Sequence, residues 1–390
     1  MVPLIGEREM DFALTNDQLA LREALSLFAK DRLNAGLLER EAASVFSLEG
    51  WHACAKYGVL GLPVPERYGG RGLNIMDTVV AMEGLGYGCH DNGLIFALNA
   101  QIWSVQQPIS QFGSEAQKQA YLPGLVAGTL IGAHAVTEIN SGSDAMSMST
   151  VAIPIGEHYI LNGSKTYVTN APVADIFLVF AKTDPEIGME GISAFLIEKD
   201  TKGFVVDHQF DKMGLRTAAM GSISIRNCKV RKSCLLGSLG NGLAIFSSSM
   251  ELERGCLLAA TLGTMKRQLE LCVKRAKDRK QFGQEIGKFQ SISNKIVDIY
   301  MRLELARLLV YRTAWLMSRG KSAIADAAMA KLFTSEAFVQ TGLDAVQIHG
   351  AYGYLTENQI ERDLRDAVAS TIYSGTSEVQ RLILARMLGL

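Results

Sequence analysis

A chain of 390 residues with 48% hydrophobic and 20% charged residues can bury a large core shared by two or three structural regions. Its formal charge of −1 gives no overall attraction to nucleic acid or to an anionic membrane, so we expect neither as a partner. No apolar run of about 18 residues is present, so no membrane-spanning helix is predicted. The cysteines are scattered without a Cys-x-x-Cys pair, and no two histidines have metal-ligand spacing. We therefore expect a cytoplasmic protein with neither a disulfide framework nor a metal site.

The first 130 residues are predicted to be helical. The opening MVPLIGERE lacks a basic region followed by an apolar one, so it does not predict a signal peptide. Met10 opens MDFALTNDQ, which resembles a natural start and leaves open whether residues 1–9 are native. NDQLALREALSLFAKDRL and VVAMEGLGYG then have helical character, and we predict an N-terminal helical domain over residues 1–130.

Residues 131–240 are predicted to form a small β domain. HYILNGSKTYVTN contains two strand-like runs around Asn162–Gly163, a dipeptide that tolerates the positive φ of a tight hairpin turn. Four further runs, rich in β-branched and aromatic residues, follow at short intervals: ADIFLVFAKT, GISAFLIEKD, GFVVDHQF and GSISIRNCKV.

Residues 241–390 are predicted to form a bundle of long helices. The chain has no proline after Pro185, and proline is the residue that most strongly breaks a helix interior. Apolar residues recur at helical spacing, as in Met301, Leu305, Leu308 and Leu309. The order of helices, β domain and helices predicts an α+β protein.

Four motifs carry the functional information. AVTEINSGSD (135–144) is dense in small donor groups suited to a flavin ring or phosphate, whereas the Gly-x-Gly-x-x-Gly fingerprint of a Rossmann site is absent. NGSKTYVTN (162–170), DRKQFGQEIGKFQ (278–290) and DAVQIHGAYGYLTENQIERDLRDA (344–367), which runs into IYSGTSEVQR (372–381), follow in order. Together they resemble the motifs of the acyl-CoA dehydrogenase superfamily over essentially the whole chain. The resemblance implies that family's fold, with an N-terminal helical domain, a middle β-barrel domain and a C-terminal four-helix bundle. It also implies a bound FAD and a homotetramer.

The resemblance further implies which residues hold FAD. The first motif matches the loop that hydrogen-bonds the flavin ring, and Tyr167 stands behind the ring where the family often has Trp. Arg279, Phe282 and Gln290 match residues that reach the FAD of a neighbouring subunit, with Arg279 suited to the pyrophosphate. Gln347 and its neighbours match the adenosine-side loop, in which the usual second glycine is an alanine. The implied FAD-binding residues are Val136, Thr137, Gly142, Ser143, Tyr167, Thr169, Arg279, Phe282, Gln290, Gln347, Gly350, Thr376 and Glu378.

The catalytic base departs from the commonest family pattern. Many members carry a glutamate in an Ile-Tyr-Glu-Gly-Thr loop, where this chain has Ser374, a poor base for an α proton. SSSMELERGCLLAA (247–260) offers Glu251 and Glu253 early in a predicted long helix. The helical neighbours of Glu253 are the more apolar, so burial should raise its pKa toward a useful working value. Isovaleryl-type and carrier-protein-linked prolyl dehydrogenases place their base at the position of Glu253, and the resemblance implies the same here. We interpret the adjacent Arg254 as structural.

Within the family, SMELERGC, IYSGTSEVQ and the final LARMLGL resemble the L-prolyl-carrier-protein dehydrogenases of the pyrrole and anatoxin pathways. That resemblance implies an acyl or peptidyl carrier protein as partner, whose phosphopantetheine arm carries L-proline as a thioester. Glu253 would remove the α proton while the flavin N5 accepts the β hydrogen as hydride, giving a dehydroprolyl or pyrrolyl thioester.

Two alternatives remain at this point. One is a short branched-chain, isovaleryl-type acyl-CoA dehydrogenase, and the other is a catalytically silent flavin-fold binding protein. The sequence also leaves open a two- or four-electron oxidation, and oxygen or an electron-transfer flavoprotein as the acceptor.

Overall fold

The structure is a computed structural model that describes residues 13–390. The interpretations of the chain start, concerning a signal peptide and residues 1–9, lie outside the described residues. The helices that precede the sheet are α1 (Asn16–Arg32), α2 (Leu37–Ala43), α3 (Leu48–Tyr57), α4 (Ile75–Gly88), α5 (Asn92–Gln101), α6 (Gln107–Phe112) and α7 (Glu115–Val126).

Local sequence explains where these helices begin. Thr15 and Ser114 start α1 and α7 with capping boxes, in which the side chain accepts from the backbone three residues later and a glutamine bonds back. The helical segments predicted around residues 16–33 and 79–88 are confirmed as α1 and the second half of α4.

The middle of the chain is a sheet with the strand order β6-β7-β3-β2-β4-β5-β8, with β1 pairing in parallel to β4. β4 and β5 are buried along almost their whole length, which explains their continuous apolar composition. The strands are β1 (Gly132–Ala135), β2 (Val151–Ile155), β3 (His158–Thr169), β4 (Ile176–Lys182), β5 (Ile192–Glu198), β6 (Phe204–Gln209), β7 (Met220–Arg231) and β8 (Leu235–Leu236). The four strands predicted after residue 170 are confirmed as β4 to β7.

The predicted hairpin turn at Asn162–Gly163 is wrong. The dipeptide lies inside β3, and the turn that joins β2 to β3 is at Gly156 instead, with φ 56°. β3 pairs with β2 on one side and β7 on the other, and the Asn162 side chain accepts a hydrogen bond from the Asn227 backbone at 2.8 Å. The pairing of β3 with β7 shifts register at Gly163, and a larger residue would not fit there, because a Cβ would lie 2.3 Å from the Thr150 hydroxyl oxygen. Pairing on both sides therefore overrides the local turn preference.

The C-terminal part is helical, as predicted, and its two long helices contain no proline. The elements are α8 (Gly242–Cys256), α9 (Ala259–Asp278), the short hairpin β9 (Lys280–Gln281) and β10 (Gln284–Glu285), α10 (Gln290–Ser318), α11 (Ile324–His349), α12 (Ala351–Tyr354), α13 (Ile360–Ser370) and α14 (Ser377–Met387). The apolar residues that predicted α10 are partly solvent-facing, with Met301, Leu305 and Leu308 exposed.

Two glycines let the N-terminal and C-terminal helices touch. A Cβ at Gly86 of α4 would lie 1.9 Å from the Ala260 carbonyl oxygen, and one at Gly263 of α9 would lie 2.2 Å from the Glu83 carbonyl oxygen. The backbones of α4 and α9 are therefore in direct contact. No helix formed by residues 13–390 is long and apolar enough to cross a membrane.

Candidate active site

Glu253 lies where α8 meets the rest of the molecule. It is in the last turn of α8 and only 7% exposed, among buried neighbours that include Met250 and Cys256. The long helix predicted there is interrupted, because the Thr261 N–H bonds the Leu258 carbonyl and so leaves the α-helical pattern. Glu253 therefore sits near the end of a helix and not early in one. Its apolar surroundings are as predicted.

The carboxylate of Glu253 accepts two short hydrogen bonds. The Ser104 hydroxyl donates to Oε1 and the Ser374 hydroxyl donates to Oε2, each at 2.5 Å. Burial raises the pKa of Glu253, and the two hydroxyls and the Arg254 charge lower it by less. The net shift is upward, the direction predicted from the apolar helix face.

Glu251, the competing glutamate, has a different environment. Its Oε1 accepts a hydrogen bond at 2.7 Å from the backbone N–H of Ala323, at the start of α11. The carboxylate thus binds a helix N-terminus, where a negative charge is favourable.

Ser374 occupies a strained backbone position beside the carboxylate. Its φ is 54°, and its carbonyl accepts hydrogen bonds from Arg254 Nε at 3.3 Å and Gln380 Nε2 at 3.2 Å. Arg254 therefore holds the backbone of this loop, which supports its interpretation as structural. Thr376 follows and caps α14 by accepting from the Val379 N–H, whereas Glu378 is exposed.

His134 is a neighbour of Glu253 that the sequence interpretation missed. It lies on β1, with Nδ1 3.9 Å from Glu253 Oε1. Burial, and secondarily the positive charge of Lys165, lowers the pKa of His134 to about 4, so the imidazole is neutral at neutral pH. Its position directly before AVTEINSGSD could have drawn attention to it. Ser104 gave no such signal, because it lies in a helical segment without a motif.

The loop of the first motif is attached to β3 by its backbone. The carbonyl of Val136 accepts from Lys165 Nζ at 2.9 Å, and the carbonyl of Thr137 accepts from the Thr166 N–H at 2.9 Å. Gly142 and Ser143 are exposed at the tip of the loop.

Glu138 locks this loop in place. Its carboxylate accepts from the backbone and hydroxyl of Ser149 and of Thr150, and from Lys165 Nζ at 2.9 Å. Burial alone would raise the pKa of Glu138, but the Lys165 charge and these donors outweigh it and lower the pKa to about 2.

Tyr167 and Thr169 lie at the end of β3, just after the residues that hydrogen-bond the first-motif loop. A register shift between Lys165 and Val168 accompanies a φ of 55° at Tyr167, whose side chain is 53% exposed. Its ring lies 5.4 Å from that of Phe210. The ring is thus available for stacking next to the first-motif loop.

The remaining candidate residues form a second group at one end of the bundle. Arg279 follows α9, Phe282 is 94% exposed at the tip of the β9–β10 hairpin, and Gln290 begins α10. Gln347 and Gly350 lie at the exposed end of α11. Across residues 13–390, no hydrogen bond, ion pair or ring contact joins this group to the loop, Tyr167 or Glu253. Within one chain, the residues around Glu253 lie together, but this second group lies apart from the loop, Tyr167 and Glu253.

Comparison with known proteins identifies the family. Three family models match the chain: the N-terminal, middle and C-terminal domains of acyl-CoA dehydrogenase, over residues 15–129, 133–228 and 240–389. The chain is 43% identical over 381 residues to an L-prolyl-[peptidyl-carrier protein] dehydrogenase from Serratia sp., covering 98% of this chain and 99% of the relative.

Two solved structures have the same fold. The prolyl acyl carrier protein oxidase AnaB is 49% identical with a TM-score of 0.96, covering 97% of this chain and 100% of that one. The structure of PigA with FAD and proline is 42% identical with a TM-score of 0.96, covering 98% and 100%. The chain belongs to the acyl-CoA dehydrogenase family.

Proposed function

We propose that this chain is an FAD-dependent dehydrogenase that oxidises an L-prolyl group held as a thioester on a carrier protein. The observation that carries the proposal is the buried carboxyl of Glu253, with its raised pKa, beside a serine in the family's other base position. The relatives described as L-prolyl-[peptidyl-carrier protein] dehydrogenase, and the solved structure of PigA with FAD and proline, support the substrate and the cofactor.

The residues present fit FAD. Tyr167 offers an exposed aromatic face for stacking, and the exposed loop tip at Gly142 is not blocked by other parts of the chain. Val136, Thr137, Ser143 and Thr169 would hold the cofactor from the same side. When bound, FAD supplies the hydride acceptor.

Glu253 would act as the general base. A thioester carbonyl acidifies the α carbon, and an unprotonated Glu253 takes that proton. Its two hydroxyl partners are neutral, and so is the imidazole of His134. None of them forms an ion pair that would keep the carboxylate from accepting a proton. A silent binding protein would have no need of a buried carboxyl poised in this way.

The test is to load L-proline on its carrier protein, add enzyme and measure the mass of the thioester. We expect a loss of about 2 or 4 mass units, two hydrogens per flavin reduction. Free proline should be inert, because a carboxylate acidifies its α carbon far less than a thioester. An unchanged mass together with rapid flavin bleaching by isovaleryl-CoA would instead support the branched-chain acyl-CoA dehydrogenase.

We propose that the second residue group completes the FAD site of a neighbouring copy in a homotetramer. The almost fully exposed Phe282, three residues after Arg279, supports this, since an exposed aromatic ring and a guanidinium without an ion pair among residues 13–390 are suited to a cofactor held elsewhere. A monomer in light scattering that keeps one FAD per chain would contradict the shared site.

The unpaired cysteines fit the cytoplasm, which we propose as the compartment.

A further inference from the structure

Ser104 contacts Glu253 from within an unusual helical turn. Between α5 and α6 the chain forms a π-helical turn, Ile102–Gln106, closed by the Gln107 N–H bonding the Ile102 carbonyl. Pro108 follows, and in a regular α-helix its ring would collide with the carbonyl of Ser104 four residues earlier. The wider turn relieves that collision. The proline therefore accounts for the backbone shape at Ser104, which is 3% exposed.

Two hydroxyls from distant parts of the chain fix both oxygens of one carboxylate. Ser104 comes from the π-helical turn and Ser374 from the loop before α14, and each holds a different oxygen of Glu253 at 2.5 Å. That distance is typical of a hydroxyl donating to a carboxylate. Within the described part of the chain no third hydrogen bond reaches the side chain of Glu253. Each oxygen thus keeps a lone pair with which to accept a proton.

The charged and titratable groups around this site are few. Arg254, on the same helix, lowers the pKa of Glu253 through its charge, but its hydrogen bond goes to the Ser374 carbonyl. His134 approaches from β1 as a neutral ring. Tyr373 lies beside Ser374, where burial and then the charges of Asp366 and Glu253 raise its pKa, so it stays a neutral phenol. Orientation of the carboxylate is left to the two hydroxyls.

We propose that Ser104 and Ser374 are positioning residues that together clamp the Glu253 carboxylate toward the α carbon of the substrate. The inference rests on the proposed function, in which Glu253 is the base. Without either hydroxyl the carboxylate gains rotational freedom and loses a donor that stabilises its charged form.

The test is the pH dependence of the rate at which the prolyl thioester on its carrier protein reduces the flavin in a single turnover. It is measured for Ser104→Ala and Ser374→Ala. Glu253 must be unprotonated to act, and each hydroxyl lowers its pKa. Loss of either hydroxyl should therefore raise that pKa and move the acid limb of the profile to higher pH. At the plateau we expect a rate loss on the order of tenfold for each variant. Ser104→Thr, which keeps the hydroxyl, should return the limb toward the wild-type position.

Ser110→Ala is the matched control. Ser110 lies in the same helical run, and its buried hydroxyl has no hydrogen-bond partner among residues 13–390, so its removal should leave the acid limb in place. An infrared titration of the carboxyl band, assigned by its loss in Glu253→Gln, reports the same shift without turnover.

The outcomes separate the two levels of inference. An unchanged mass of the prolyl thioester after incubation with the unmodified enzyme would overturn the proposed function, and an active Glu253→Gln variant would overturn the assignment of Glu253 as its base. An inactive Glu253→Gln variant, with unmoved acid limbs and unmoved carboxyl bands in both alanine variants, would overturn only the clamp. A moved limb and band in Ser104→Ala and Ser374→Ala, and in neither Ser104→Thr nor Ser110→Ala, would support it.

Discussion

Glu138 and Glu253 are the same residue in similarly buried places, yet their carboxyls have opposite properties. Glu138 is 5% exposed and Glu253 is 7% exposed. Glu138 accepts from two backbone N–H groups, two hydroxyls and an ammonium group, and its pKa falls to about 2. Glu253 accepts from two hydroxyls, and its pKa is raised by burial.

Both side chains are almost inaccessible to solvent, but their donors differ. A carboxylate with an ammonium partner and four neutral donors is held permanently ionised, and so it serves to fix the first-motif loop. A carboxylate with two neutral donors in the same kind of interior remains able to take up a proton, as a general base must. One buried glutamate therefore anchors a loop, and the other has the environment expected of the general base that we propose.

The largest expected effect is on turnover. Glu253→Gln should lower the rate of flavin reduction by the prolyl thioester on the order of a thousandfold, because an amide of the same shape cannot accept the proton. FAD content and fold should be unchanged, which absorbance and circular dichroism would check.

Glu251→Gln is the matched control for that experiment. It sits two residues away and binds the start of α11, so its loss should cost about 1 kcal/mol of stability and little activity. An inactive Glu251→Gln beside an active Glu253→Gln would reverse the assignment of the base.

The second prediction concerns the free energy of unfolding. Here the larger effect is expected for the Glu138 variant and the smaller one for the Glu253 variant. Glu138→Gln leaves Lys165 buried without its counter-charge and turns an amide toward donors, so we expect destabilisation of about 3–5 kcal/mol. Glu253→Gln should be neutral or slightly stabilising at pH 7, because a buried carboxyl with a raised pKa is costly to ionise in the folded state. Thermal and urea unfolding of both variants measure the contrast.

Glu157→Gln controls for the simple loss of a charge in the same sheet region. Glu157 pairs with Lys232 at the surface, where an ion pair contributes about 0–1 kcal/mol. A Glu138→Gln variant as stable as Glu157→Gln would show that the buried network does not lock the loop.

The smallest expected effect is a separation of two acid transitions. The Glu138 pKa is depressed from 4.5 to about 2, so its stabilising contribution is complete above pH 4.5 and is lost as the pH falls toward 2. Glu253 has a raised pKa, so as the pH falls it becomes protonated, and activity declines, at a pH above the usual pKa of a carboxyl group. We expect activity to be lost at a higher pH than the folded structure, as measured by flavin reduction and by circular dichroism. Coincident midpoints would contradict the contrast between the two carboxyls.

Much of the fold and part of the candidate site could be predicted because their signals are local. β4 to β7 have runs of β-branched and aromatic residues, α10 and α11 have helical periodicity without proline, and the ordered motifs identified the family. The choice of Glu253 over Glu251 depended on residues within seven positions along one helix. The assigned roles of the site residues stay predictions.

Other features of the protein were decided only by tertiary structure. Asn162–Gly163 has the local preference of a turn, but pairing of β3 on both sides keeps it in a strand. Ser104 and Ser374 meet Glu253 from 149 and 121 residues away along the chain. His134 reaches Glu253 from β1.

Sequence by itself therefore determined the fold class and the family, and it led to the prediction of Glu253 as the base. These follow from propensity, periodicity and motif order, all of which are properties of neighbouring residues. The partners of that base depend on how a π-helical turn, a strand and a loop pack against the end of α8. Contacts across such distances are set by the packing of the whole core, which no local pattern encodes.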